Sequence, residues 1–249
     1  MLVEICAGSL KDCINAYNGG AKRVELNAAL YLGGLTPSIA TLRLVKEKTD
    51  LKVISMVRPR AAGFIYNSYE LEEIFESAKE LLENGSDGLA FGFLNKDLTI
   101  DVNNTEKMVR LIHSYNKEAV FHKAFDITKN IFESIETLIN LNVDRVLTSG
   151  GNKNVELGKE NLKKLQDMYG NKIEILAGGG VRNNSIKSII EYTGISQIHS
   201  SCKDFEEDIS TSNDNLSYSY LEGENINKYD IVSEMKVKDL INLVDKNLI

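Results

Sequence analysis

Two short apolar runs, VEICAG (3–8) and VELNAA (24–29), each hold a single carboxylate, Glu4 and Glu25, followed two residues on by Cys6 in the first and Asn27 in the second. Side chains alternate along a strand, so Glu4 shares a face with Cys6 and Glu25 with Asn27, opposite Val3, Ile5, Val24 and Leu26. A carboxylate on an enclosed face is costly unless it is paired. Two readings follow: a buried charge network of Glu4, Glu25 and Arg58, or carboxylates kept as ligands or acid–base groups. FHKAFD adds His122, Lys123 and Asp126. Histidine titrates nearest neutrality, and a neighbouring lysine can act as an electrophile or hold an anion. Glu4, Glu25, Arg58, His122, Lys123 and Asp126 therefore form a candidate catalytic set, with His113 in KMVRLIHSY read as surface.

A second set would suit an anion. VRPRAAGF supplies Arg58 and Arg60, whose planar forks match carboxylate or phosphate. TSGGN supplies Ser149, Gly150 and Gly151; AGGGVRN supplies Gly178, Gly179, Gly180 and Arg182; IHSSC supplies Ser200 and Ser201. Glycine lets backbone N–H groups approach an anion closely, although such turns are also plain punctuation.

These residues need a frame that gathers strand ends. LVEICA, RVELNA, KVISMVR, GLAFGF, EAVFHK, RVLTSG, EILAGGG and QIHSSC read as eight β-rich runs separated by amphipathic segments such as ELEEIFESAKELLENG and IFESIETLINLN. About eight β/α units in 249 residues predict an α/β fold, a single (β/α)8 TIM barrel over 1–249, whose chemistry sits at the C-terminal strand ends. Thr36 and Pro37 read as the N-cap and first residue of a helix. The stretch 204–235 is polar and without period, a surface excursion that is either a solvated loop or a lid, and 236–248 reads as a terminal helix.

Composition narrows the function. A net charge of −7 with no basic stripe argues against a nucleic-acid partner, and no apolar stretch suits a membrane span or signal peptide. Three cysteines without a framework or CxxC pair suit a reducing, cytoplasmic setting.

VEICAGSL, NGGAKRVELNAALYLGGLTPS, MVRPR, GFIY, FGFL, FHKAFD, RVLTSGG, AGGGVR and IHSS, in this order from about Val3 to Cys202, resemble the CutC family, named for copper homeostasis. The resemblance implies one cytoplasmic (β/α)8 barrel, often a homo-oligomer, with a proposed Cu(I) role. Its copper-binding members place an inward cysteine on each of the first two strands; Cys6 matches the first and Asn27 stands at the second. Lys123 stands where the family commonly has arginine. Soft thiolates select Cu(I), so His199 or Cys202 would have to complete the site with Cys6. Three functions stay open: a copper-binding homeostasis protein, an enzyme acting on a small anionic or phosphorylated metabolite, and a non-catalytic oligomeric scaffold.

Overall fold

A computed structural model describes residues 1–183 and 185–245. Eight parallel strands close into a barrel in sequence order: β1 Leu2–Ala7, β2 Arg23–Leu26, β3 Lys52–Met56, β4 Gly88–Phe91, β5 Glu118–Phe121, β6 Arg145–Thr148, β7 Glu174–Gly178 and β8 Gln197–Ser200. Each coincides with one of the eight apolar runs. The helices are α1 Leu10–Asn18, α2 Ile39–Lys48, α3 Ser68–Glu83, α4 Val102–Ser114, α5 Ile131–Asn140, α6 Lys159–Tyr169, α7 Ile186–Thr193 and α8 Glu234–Asp245.

Alternation sorts the two faces as the sequence predicts. Val3, Ile5, Val24, Leu26, Val53, Phe91, Phe121, Val146 and Ile198 join the large core between strands and helices. Each such fully buried side chain contributes on the order of 1.5–3 kcal/mol. Inside the barrel the apolar content is slight: Ile54, Met56, Ala90 and Val120 form one small cluster. Most of the remaining interior on β1, β2, β6 and β8 is polar, with Glu4, Glu25, Asn27, Arg23, Arg145 and His199 all buried.

Several helix starts follow from local chemistry. Ser9 caps α1 by accepting from the Asp12 amide, and Asn67 and Glu70 form a reciprocal capping box on α3. The start of α2 differs from the sequence expectation. Ser38, not Thr36, is its N-cap, so Pro37 precedes the cap. Thr36 is taken by the segment after β3 instead: its hydroxyl donates to the Arg58 carbonyl and accepts from the Arg58 amide.

The excursion at 204–235 is more ordered than its composition suggests. β9 Lys203–Glu207 and β10 Lys228–Val232 form an antiparallel ribbon. Its alternation is hard to read because the strands are mostly solvated and have few apolar residues to mark a face. The ribbon is fixed to α1, where the Val232 amide donates to Asp12 and Asn15 donates to the Val232 carbonyl. Tyr220 from the intervening loop stacks on Tyr31 after β2, with ring centroids 4.6 Å apart. The terminal helix begins two residues earlier than expected; positions 246–248 of that expectation lie outside the described residues.

Candidate metal centre and adjoining cleft

Two register pairs build the centre. Glu4 on β1 lies opposite His199 on β8, and Cys6 on β1 lies opposite Glu25 on β2. The stagger of neighbouring strands around a barrel therefore places Arg23, not Glu25, beside Glu4. The two carboxylates do not form a symmetric pair. Glu4 Oε2 is 2.5 Å from Arg23 Nε, a close ionic contact without good hydrogen-bond alignment, and Glu4 Oε1 is 2.8 Å from His199 Nδ1. Glu25 Oε2 lies 3.9 Å from His199 Nε2 and 3.8 Å from Cys6 Sγ.

One imidazole thus stands between two carboxylates. Burial pushes Glu4 up, but the His199 hydrogen bond and the Arg23 charge outweigh it and hold Glu4 at about 2. Burial raises Glu25, reinforced by the charge on Glu4 and opposed by His199, Asn27 and Cys6. Burial would lower His199, but Glu25 and the hydrogen bonds to Cys6 and Glu4 raise it well above the usual imidazole range. Burial likewise raises the Cys6 thiol, with His199 opposing.

Cys6 Sγ, a Glu25 oxygen and a His199 nitrogen lie within 4.8 Å of one another, the one His/Cys/Asp/Glu grouping among the described residues with this spacing. In a tetrahedral zinc site, sulfur and nitrogen ligands sit about 3.5 Å apart. Modest contraction would bring these three onto one ion. Asn27 binds two of the three, its Nδ2 donating to Glu25 Oε2 at 3.0 Å and to Cys6 Sγ at 3.6 Å. Sequence reading named Asn27 only as a loss.

Cys202 does not join. It follows the end of β8 at φ +40°, packs with the helix-side core, and its Sγ lies 3.7 Å from Ser200 Oγ. The chain leaves the strand after Ser200, and Cys202 takes a left-handed backbone instead of continuing it. Cys13 is likewise buried in α1, where burial pushes its thiol up to about 12.

The candidate catalytic set is dispersed. Arg58 meets neither Glu4 nor Glu25; its guanidinium donates to the carbonyls of Leu32, Gly34 and Ala62 and lies over Phe64. Loops following β2 and β3 supply those acceptors, which strand parity cannot reveal. His122 is buried beside Phe64, accepts from the Ala124 amide through Nδ1, and is lowered to about 3 by burial and then by Arg58. Asp126 is saturated: Thr148 Oγ1, the amides of Ser149 and Gly151, Ser149 Oγ and Lys123 Nζ all donate to it. The TSGG loop is an anion cradle, as its glycines suggest, but it holds the chain's own carboxylate. Ser149, Gly150 and Gly151 are therefore not the predicted site for an external anion.

Two other predicted anion binders are also committed elsewhere. Arg60 pairs with Glu70 and donates to the carbonyls of Ala61, Gly63 and Ile65. Gly178 ends β7, where an added Cβ would come 2.6 Å from Leu147 and 3.0 Å from His199, so it makes room for the imidazole. Gly179, Gly180, Arg182, Ser200 and Ser201 do come together. They line a cleft of about 770 Å³ whose wall also includes Cys6, Lys123 and His199. Sequence reading missed Arg23 and Arg145, although both share the inward parity of their strands. Arg145 is 2% exposed and pairs with Glu118 and Glu174, closing the barrel beneath the site.

The model of the CutC family matches residues 1–204. A CutC family protein of Treponema denticola is 45% identical over 217 residues, 87% of each chain. The mouse copper homeostasis protein cutC homolog is 35% identical over 202 residues, covering 81% of this chain and 74% of its own. The crystal structure of a CutC protein from Streptococcus agalactiae superposes with a TM-score of 0.75 at 31% identity, covering 81% of this chain and 98% of that one.

Proposed function

This chain belongs to the CutC family, and on that premise we propose that its barrel mouth binds one metal ion through Cys6, Glu25 and His199. The convergence of these three ligand atoms carries the reading. The surrounding contacts support it: His199 Nδ1 is held by Glu4, which leaves Nε2 directed to Glu25, the arrangement of a carboxylate–histidine–metal relay. A protein set of three, beside an open cleft, leaves a fourth position for an incoming ligand.

The donors decide which ion fits. Cu(I) favours several soft sulfur ligands, whereas one thiolate, one imidazole and one carboxylate suit a borderline divalent ion such as Zn2+. The copper-homeostasis name of the mouse relative therefore reaches this chain in altered form: a metal-handling barrel whose thiolate count favours Zn2+ over Cu+. Binding must displace the proton on Cys6 and the one shared at His199 Nε2, so affinity rises with pH. Three free cysteines suit a reducing compartment, and we place the protein in the cytoplasm on that ground. No helix among the described residues is long and apolar enough to cross a membrane. The acid–base reading loses its geometric support, because His122 is enclosed and Asp126 is saturated.

Competition against a chromophoric chelator tests the reading. The native chain should take up one Zn2+ per protomer and lose it in Cys6→Ser, while Asn27→Cys should raise anaerobic Cu+ affinity about 100-fold by adding a second thiolate. Zn2+ uptake that survives Cys6→Ser would refute the assignment.

A further inference from the structure

The cleft beside the metal centre has an unusual charge for this chain. The whole sequence carries a net charge of −7, yet the cleft is lined by Lys123, Arg182, Lys203 and Lys236 and by no aspartate or glutamate. Three of these cations have carboxylate neighbours set outside the lining: Asp126 for Lys123, Asp230 for Lys203 and Asp204 for Lys236. Arg182 is exposed and has no ion-pair partner among the described residues. With the carboxylates set outside the lining, the cleft wall itself is cationic and attracts anions from solution.

The loop after β7 adds backbone donors. Gly179 and Gly180 have φ of +105° and +72°, which side chains rarely adopt. Neither amide donates to a protein acceptor among the described residues. An added Cβ on Gly179 would lie 3.1 Å from Lys123 Nζ, so the bare glycine lets the ammonium sit against the loop. By contrast, the equivalent cradle after β6 is filled by Asp126. One glycine loop is satisfied from within the chain, and its neighbour is left with donors and cations facing the cleft.

We propose that this cleft binds a small phosphorylated molecule, with the phosphate between Gly179, Gly180, Lys123 and Arg182 and the body directed toward His199 and Cys6. Lysine, arginine and free amides together favour phosphate over a carboxylate, which needs fewer donors. The volume, about 770 Å³, admits more than the phosphate alone. The family match ends at residue 204, so Phe205 and Lys236, which close one side of the cleft, come from the chain beyond it. That part of the wall selects the body of the ligand.

Isothermal titration of the full chain in EDTA, with inorganic phosphate and with glycerol 3-phosphate as probes, separates this proposal from the metal reading. Saturable one-to-one binding of glycerol 3-phosphate, about 10-fold tighter than inorganic phosphate and weakened about 10-fold by Arg182→Gln, is the expected result. Arg182 is exposed, so its replacement does not threaten the fold; Arg110→Gln on α4 serves as a remote charge control and should change nothing. Equal affinity for the two probes would reduce the site to one for inorganic anions and overturn the proposal. Absence of saturable binding, or binding unaffected by Arg182→Gln, would overturn it as well.

Discussion

The arc formed by β8, β1 and β2 and the arc formed by β3 to β5 both end in titratable residues, yet the first presents Cys6 and His199 to the cleft, whereas the second keeps Arg58 and His122 enclosed and contributes Lys123 alone. On the first arc Cys6 and His199 reach the cleft, and Glu25 joins them through their shared contacts. On the second, loops following β2 and β3 cover Arg58 with three carbonyl acceptors, and Phe64 lies against His122. The difference teaches that ligand chemistry here depends on what the loops leave uncovered. Both arcs hold the right residue types, but one has its groups neutralised or tied before any ligand arrives.

The comparison can be broken most sharply at the two arginines. Arg23→Met takes from buried Glu4 its guanidinium partner, leaving His199 alone against it, and should cost about 3–5 kcal/mol of stability. Arg58→Met leaves only carbonyls without donors and should cost about 1–3 kcal/mol. Urea midpoints would read the contrast, and equal losses would mean that Glu4 does not depend on Arg23.

Metal affinity gives the next contrast. Cys6→Ser should weaken Zn2+ binding by about 100-fold or more, whereas His122→Gln should leave it unchanged. A comparable loss in both would place the metal between the arcs.

Acid sensitivity separates them again. His122 is held at about 3 in the folded chain, below its ordinary 6.5, so the unfolded chain takes up the proton first. Its contribution is complete above pH 6.5 and falls as pH drops toward 3, by at most about 1.4 kcal/mol per pH unit. His122→Gln should flatten the stability profile between pH 5 and 6.5, while Glu4, held at about 2, dominates only below about 4.5. An unchanged slope in the variant would show that His122 is not buried in its neutral form. The smallest effect is expected at Asn27→Ala, where loss of the contacts to Cys6 and Glu25 should weaken Zn2+ binding about 10-fold.

Strand alternation made much of this legible. The eight runs and the inward face of Glu4, Cys6, Glu25 and Asn27 follow from a period of two, because one face of each strand had to meet the helices. The partners did not follow, since the repeat VEICAG/VELNAA suggests that Glu4 meets Glu25, while the barrel stagger sets Cys6 there instead. Arg23 and Arg145 could have been found by parity alone, which places these charged strand starts inside. The saturation of Asp126 by the TSGG loop joins residues more than twenty positions apart across β5 and β6, beyond what local spacing can show. The ribbon at 203–232 escaped for a different reason: its strands gain their ladder while burying little apolar surface.

Anomalous scattering at the zinc edge from crystals of the native chain soaked in Zn2+ tests the central claim most directly. A single peak bonded to Cys6 Sγ, Glu25 and His199 Nε2, with His199 Nδ1 still on Glu4, is the predicted result. A peak at other ligands, or none in a crystal whose Cys6 is reduced, would contradict it.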